Sequence, residues 1–358
     1  MSHRESRRET VVELKKSSGV DALKALYKAY YARKPRVKAP THIEMREFAF
    51  QLFEREPYVR HLSFKSEREL SEYLAEKAPR HAYYSVALYS FPDAKSMEEK
   101  GWRGSELLFD VDSDMVPDCV AARVGDDLLV DDSCLAKGFR IAYRISVMLR
   151  RDLGMDSTIY FTGNRGFHVV AFCEYCLELS REEREEIASY IAGENISLSR
   201  VVLMARRARR SSKESIVLSP NDPGWRGWIG LELRERGLPE EVRDPSLLES
   251  LIAELKIPID KQVTVDPTRL SRIRGSLNGK ASLIVSDILD ESFTPSFQLS
   301  PFRGEVSVKA RVEVPSMRVL GREVSLRPGE EADLEAPIAV LLASKNAVEI
   351  VGGEVVVD

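Results

Sequence analysis

The chain of 358 residues has no apolar run approaching the ~20 residues of a membrane-spanning helix. A helical membrane protein is therefore excluded as a reading of it. Its opening, MSHRESRRETVVELKK, is too charged for a secretory leader, so a cytoplasmic protein with no membrane partner is expected. Cysteine is scarce. Cys119, Cys134, Cys173 and Cys176 are too few to frame a secreted disulfide scaffold. The single C-x-x-C, in VVAFCEYCLELS, closes an apolar strand instead of preceding a helix as a redox motif does. Ordinary buried thiols are expected there, with a metal pair or a disulfide as the alternatives. Nor is one sign of charge in large excess: 53 Lys and Arg stand against 57 Asp and Glu, a net charge of -4. That balance conceals a basic start, since residues 1–40 hold eleven basic and four acidic side chains. A local basic surface can bind a polyanion without the whole chain being basic.

Strand and helix signals interleave. Residues 1–19 read as a charged tail, and a helix is expected over about 20–32, ended by Pro35 and Pro40. Ser66 with Glu69, and Ser180 with Glu183, give the S-x-x-E pattern that opens helices. Another helix is expected over about 135–153, stopping near Gly154. STIYFTGNRGFHVVAF is two apolar runs joined by TGNRG, a hairpin or tight strand turn. Residues 197–256 read as helical and loop-like; within them RVVLMARRARRSSK is either a solvated basic face or a phosphate contact. IPIDKQVTV returns to strand character, and Asp266-Pro267 is a suitable start for a helix TRLSRIRG. The last sixty or so residues mix both signals and end in a helix, APIAVLLASKNAV. The fold class is α/β (α+β).

The stretch GWRGSELLFDVDSD joins strand formers to alternating aspartates. Successive side chains of a strand point to opposite faces, so Leu107, Phe109 and Val111 share one face, and Leu108, Asp110 and Asp112 the other. The two aspartate Cα atoms then lie roughly 6.5 Å apart, at about 3.3 Å per residue. Carboxylates this close repel, and a divalent cation between them relieves the repulsion; Mg²⁺ and Mn²⁺ favour such hard oxygens. The bland alternative ends the strand at Asp110 and leaves the later aspartates in a solvated turn.

Two further segments complement that face. In TGNRGFH, Gly163 and Gly166 let the backbone turn closely, while Thr162, Arg165 and His168 offer donors to a polyphosphate. His168 in an apolar strand is equally readable as a satisfied core histidine. In the third segment Asp260 can complete a carboxylate trio, with Arg269 and Arg272 one helical turn apart to neutralise phosphate charge.

Taken together these residues carry a resemblance. GWRGSELLFDVDSD resembles the catalytic strand of the archaeo-eukaryotic DNA primase small subunit, archaeal type, which reads GW-x-G-x-EL-x-FD-x-D. TGNRGFH resembles that family's S-G-R-R-G-x-H, and IDKQVTVDPTRLSRIRGSLNGK its third motif, which ends in S-L-H-G-K. MREFAFQLFEREPYVRHLSF resembles its REF-x-F…Y-x-R-x-x-S-F segment. The resemblance spans about residues 24–290. It implies a primase-polymerase catalytic core: a mixed β-sheet flanked by helices over 20–176 and 255–300, a mainly helical inserted subdomain over 177–254, and a C-terminal segment, 301–358, packed on the core.

The resemblance also implies roles. Asp110, Asp112 and Asp260 would bind two Mg²⁺ or Mn²⁺ ions and direct nucleotidyl transfer from NTPs or dNTPs. Thr162, Gly163, Arg165 and His168 would grip the triphosphate, helped by Arg60, Arg269 and Arg272, and Glu47 would match a glutamate used when two free nucleotides are first joined. The implied partners are a primase large subunit, forming a heterodimer, a single-stranded DNA template and an RNA or DNA primer. Two departures stand out: Asn164 replaces a common arginine, and Asn278 replaces the histidine of S-L-H-G-K, so weaker nucleotide contacts are expected. The family's zinc cluster is reduced to Cys119 and Cys134, and zinc is not expected, since a structural site takes four ligands. A repair or translesion polymerase, or a scaffold subunit that has lost catalysis, are the alternatives.

Overall fold

A computed structural model describes residues 10–15, 19–33, 37–207 and 215–358. Most of the expected tail, Pro35 and residues 208–213 of the basic run lie outside the described residues.

Strands Leu107–Asp112, Gly166–Ala171, Ser157–Phe161 and Ser286–Ile288 lie side by side in that spatial order. The run through TGNRG is the expected hairpin, with Phe161 opposite Phe167. Phe109, Phe161, Phe167 and Val169 are fully buried on one face. Against that face packs the helix Asp132–Leu153, whose Phe139 ring lies 5.8 Å from that of Phe167. This helix starts three residues earlier than expected, because Asp131 caps the Ser133 amide. Gly154, at φ 67, ends it. The polar stretch before it is not featureless: Ala121–Val124 and Asp127–Val130 form a hairpin.

A second sheet has the order Leu270–Arg272, His81–Ser85, Phe48–Leu52, Arg55–Leu62. Here the expected helix over TRLSRIRG is overturned. The Asp266 carboxylate accepts both the amide and the hydroxyl of Thr268, closing a local turn. The chain beyond it pairs antiparallel with His81–Ser85, Leu270 opposite Ser85 and Arg272 opposite Tyr83. Ser271 is wholly buried while its neighbours are half-buried, the alternation of a strand. Arg269 and Arg272 therefore do not share a helical face, and a local capping signal lost to sheet pairing.

Between the two sheets the chain is locked by a buried ion pair. Arg46 donates to both oxygens of Glu106, at 2.8 and 3.2 Å, and to the carbonyls of Ser85 and Val86. Arg184 adds bonds to the carbonyls of Ser105 and Glu106. The REF and GSEL portions of the motifs thus anchor the start of the aspartate strand.

The inserted region holds the helices Arg181–Ala192, Leu198–Arg207, Trp225–Glu235 and Pro245–Leu255. Ser180 and Glu183 make the complete reciprocal cap there, whereas at Ser66 only the serine half forms and Glu69 turns to the amide of Lys65. The region is joined to the long helix through Asp152, which accepts from Tyr190 and Trp228.

Two terminal expectations fail together. Thr10–Leu14 is not tail but an edge strand, paired in register with Val348–Val357, Thr10 opposite Val357. The chain ends in that strand and not in a helix; APIAVLLAS is helical over Ala336–Ser344 and lies buried beneath it. Both strands are valine-rich, but each is marginal without its partner, and the partners are at opposite ends of the sequence. With Phe302–Ala310 and Glu331–Glu335 they form a third sheet. The class is α/β as expected, though every strand pair registered among the described residues is antiparallel, so no mixed sheet is seen there. The cysteines form two disulfides, Cys119–Cys134 and Cys173–Cys176; at the second pair the disulfide, one of the alternatives, stands in place of the expected thiols. No described helix is long and apolar enough to cross a membrane.

Candidate active site

Asp110 and Asp112 project from the face of the sheet that the long helix leaves uncovered. Asp110 stands opposite His168 in the strand register, and Asp112 opposite Gly166. A side chain at Gly166 would place its Cβ 2.9 Å from the Asp112 carboxylate, so this glycine keeps the carboxylate's space open. Above the strand lies the short helix Lys261–Val265, tied down by the Thr264 hydroxyl donating to the carbonyl of Leu108. Val263 seals this edge against Val86, Leu108, Tyr160, Val170 and Val285.

Asp260 is not on a strand. It is the N-cap of that short helix, its carboxylate accepting the amide of Gln262 at 3.0 Å, and it is exposed to solvent. Its charge nevertheless reaches Asp110, whose carboxyl is pushed up to about 6, first by burial and then, among raising causes, by Asp260. Burial and the Asp110 charge likewise raise Asp112. Arg272 and Arg165 oppose the rise at Asp110 without cancelling it. Burial, not a lack of cations, is the leading cause, since Arg165, Arg272 and Lys280 stand in the same site.

A cavity of about 160 Å³ opens on these groups, lined by Asp110, Asp112, Thr162, Asn164, Arg165, His168, Arg272, Asn278 and Lys280. Eight of the nine were expected from the sequence. Larger cavities elsewhere, one of about 670 Å³ beside Tyr190 and Arg234, hold none of these groups.

Inside this small cavity His168 is held through Nδ1, with Nε2 towards Asp110. Tyr160 and Ser271 hydroxyls lie 3.0 Å from Nδ1, and Nε2 is 3.7 Å from the Asp110 carboxylate. Burial and the Arg272 charge push its pKa down to about 3, so the ring is neutral near pH 7. Thr162 closes the turn by bonding the carbonyl of Gly166 through both amide and hydroxyl. Gly163, at φ 79, has no room for a Cβ, which would meet Asn278 and the Leu283 carbonyl at 2.8 Å.

Several expected phosphate contacts are already engaged. Arg165 faces three carboxylates, Asp114 at 2.8 Å, Asp127 at 3.0 Å and Asp112 at 3.6 Å. Asn164 donates to Asp127 at 3.1 Å. Buried Asn278 turns its amide to the Thr162 carbonyl at 2.7 Å and its oxygen to the amide of Lys280. Arg272 lies over the ring of Tyr83 and 3.1 Å from His81 Nδ1. Arg269, Glu47, Arg60 and Asp260 are not in the cavity wall. Arg269 pairs with Asp266 at 3.3 Å. Glu47 is buried and bound by Arg60 at 3.1 and 3.3 Å and by Lys100 at 3.4 Å.

Sequence reasoning missed Lys280, Asp127 and Lys345. Lys280 ends the quoted SLNGK and was legible there; Asp127 and Lys345 lie in unremarkable segments and carry no local signal.

The donors suit divalent magnesium or manganese: hard carboxylate oxygens side by side on one strand face, with the exposed Asp260 carboxylate adding negative charge nearby. Among the described residues no three His, Cys, Asp or Glu side chains converge as a closed cage. Mg²⁺ needs none, because it keeps waters and takes substrate phosphate oxygens as ligands.

The family described as DNA primase small subunit matches residues 109–291, which include the aspartates, the cavity turn and the Asp260 segment. A DNA primase small subunit of Aeropyrum pernix is 49% identical over 93% of this chain and 94% of its own length. Those of Staphylothermus marinus and Sulfolobus acidocaldarius are 34% and 36% identical, covering 94% and 90% of this chain and 97% and 92% of their own. A solved polymerase domain of Mycobacterium tuberculosis Ligase D, in complex with DNA, is 11% identical, with a TM-score of 0.35 over 76% of this chain and 80% of that one. That last likeness is too loose to bear on function. The motif strand, the histidine beside it and relatives matching over nine-tenths of the length agree: the chain belongs to the DNA primase small subunit family.

Proposed function

We propose that this chain is the catalytic subunit that joins nucleotides into short primers on single-stranded DNA, with the cavity at Asp110 as its reaction centre. The observation that carries this reading is the pairing of an electron-rich carboxylate face with a cationic turn in one cavity. Asp110, Asp112 and Asp260 would hold two Mg²⁺ or Mn²⁺ ions. When bound, such ions polarise phosphate oxygens and favour the ionised 3′-hydroxyl.

The protein's own groups do the positioning. Lys280 and Arg272 bring positive charge to the cavity wall for the β- and γ-phosphates. Neutral His168, with Nδ1 set between two hydroxyls, presents Nε2–H as a donor that needs no change of charge. The 3′-oxygen of the first nucleotide or the primer end attacks the α-phosphorus; the new P–O bond forms as the bond to the β-phosphate oxygen breaks, and pyrophosphate leaves. Arg60, outside the cavity wall, is assigned to assist in gripping the triphosphate, and Glu47 to the first joining of two free nucleotides. Residues 20–176 and 255–300 make up the catalytic core in this reading, 177–254 the insertion and 301–358 a packed C-terminal segment. A large subunit completes a heterodimer, and the reading gives zinc no role.

Primer synthesis from free nucleotides on a polypyrimidine template, with and without the large subunit, tests this. Activity should require Mg²⁺ or Mn²⁺ and vanish in Asp110→Ala/Asp112→Ala. An equally active double variant would refute the carboxylate assignment; an inert wild type with its partner present would favour a scaffold.

A further inference from the structure

Lys345 lies under the phosphate-facing turn, although it belongs to the C-terminal segment, just beyond the helix Ala336–Ser344. Its side chain is 2% exposed. The ammonium donates to Asp127 Oδ2 at 3.1 Å and to Asn164 Oδ1 at 2.9 Å. Asn164 in turn donates to the same Asp127 oxygen, and Asp127 Oδ1 accepts from Arg165 at 3.0 Å. One ammonium, one carboxylate and one amide thus close a ring beneath the cavity, and Arg165 is attached to it. The backbone of Lys345 joins in: its carbonyl accepts the amide of Asp126 at 2.8 Å. At Gly125, φ 61, a Cβ would stand 2.0 Å from that carbonyl, so the hairpin 121–130 can dock here only with glycine at its tip.

A buried ammonium is costly, and a long apolar side chain would fill the same space more cheaply. Burial indeed pushes the Lys345 pKa down to about 8, against the pull of Asp127. The charge therefore needs a use. Arg165 is pulled by Asp114, Asp127 and Asp112 at once. By drawing on the Asp127 carboxylate from below, Lys345 lessens that carboxylate's hold on Arg165.

We propose that Lys345 is a positioning residue for nucleotide binding: by sharing Asp127 with Arg165 it loosens that carboxylate's grip and leaves the guanidinium free to meet the triphosphate. The proposal rests on the reading of the cavity as the nucleotide site. It places a determinant of triphosphate affinity in the C-terminal segment, outside every motif that marks the site. Without the ammonium, the full Asp127 charge falls on Arg165 and holds it back from phosphate.

Lys345→Met and Asp127→Asn test this in the full chain, by extension of a primed homopolymeric template with Mn²⁺ over a range of complementary nucleoside triphosphate. The Met variant should raise KM about tenfold while kcat stays within about twofold, the pattern of lost binding and not lost chemistry. Because the two side chains act through one contact, the double variant should be no worse than Lys345→Met alone. Unchanged KM in both single variants, or a fall in kcat at constant KM, would overturn the proposal. Should Lys345→Met fail to fold by thermal melting, the isosteric Asp127→Asn decides alone: by lifting the carboxylate charge from Arg165 it should lower KM, and an unchanged or raised KM would refute the proposal. Asp110→Asn separates this from the site reading itself: if it stays active, the site is wrong; if it is dead while Lys345→Met behaves as wild type, only the role of Lys345 is lost.

Discussion

Asn278 donates its side-chain amide to the Thr162 carbonyl at 2.7 Å, joining the segment after the third motif to the turn of the second. The asparagine that replaces the family's histidine is therefore a strut within the cavity wall. Its oxygen accepts the amide of Lys280, so the same side chain also sets the base of a cavity-lining lysine. Asn278→Ala leaves the buried Thr162 carbonyl and the part-buried Lys280 amide without these partners. It should lower stability by about 1–3 kcal/mol and raise KM for nucleoside triphosphate. Urea melts and initial rates check the two effects separately; loss of stability with unchanged KM would confine the residue to folding.

Asp110 and Asp112 carry like charges on one strand face with incomplete compensation. Adding Mn²⁺ should therefore raise the melting temperature of the wild type, and Asp110→Asn/Asp112→Asn should show no such rise. Before any cation is added, the double variant should melt higher than wild type near pH 7.5, because a repulsion is gone. Its polymerase activity should fall by well over the roughly 10–100-fold typical of changes one shell out from a metal. A cation-dependent rise that survives in the variant would place the binding elsewhere.

The aspartate strand, the TGNRG hairpin and the Ser180 cap were legible because each signal is local: alternation, a glycine turn, a side chain reaching three residues on. What was illegible depended on distant partners. TRLSRIRG has a helix-start signal, yet it is a strand because His81–Ser85 offers an open edge. Thr10–Leu14 looked like tail until paired with the final strand. Arg165 lines the cavity, but its three carboxylate neighbours span positions 112 to 127 and follow from no spacing rule.

The Cys119–Cys134 disulfide closes a loop of sequence separation 15 across the edge of the hairpin 121–130 and the cap of the long helix. A loop of that length corresponds to about 3 kcal/mol of lost freedom in the unfolded chain. Reduction with dithiothreitol should lower the melting temperature, and the drop should shrink in Cys119→Ser/Cys134→Ser, where only Cys173–Cys176 is left to reduce. A zinc-selective chelator should change neither protein. A shift on zinc chelation would mean that these sulfurs bind metal.

His81 gives the protein a built-in sensitivity to acid. The ring is buried, and its Nδ1 accepts from the Gly279 amide at 3.3 Å and lies 3.1 Å from Arg272 Nη1, so it must stay neutral in the folded state. Burial first, then the charges of Arg272, Arg80 and Lys280, push its pKa down to about 2. In the unfolded chain the same ring titrates near 6.5. Between those values the unfolded state binds a proton that the folded state refuses. This contribution to stability is therefore complete above about pH 6.5 and drains away as the pH falls towards 2. His81→Gln keeps an acceptor for Gly279 but cannot titrate. Its melting temperature should drop less than that of wild type between pH 7 and pH 5, while the acid response of the carboxylates, common to both, cancels in the difference. Parallel curves would show that His81 takes up its proton without unfolding, and that the Gly279 and Arg272 contacts tolerate a charged ring.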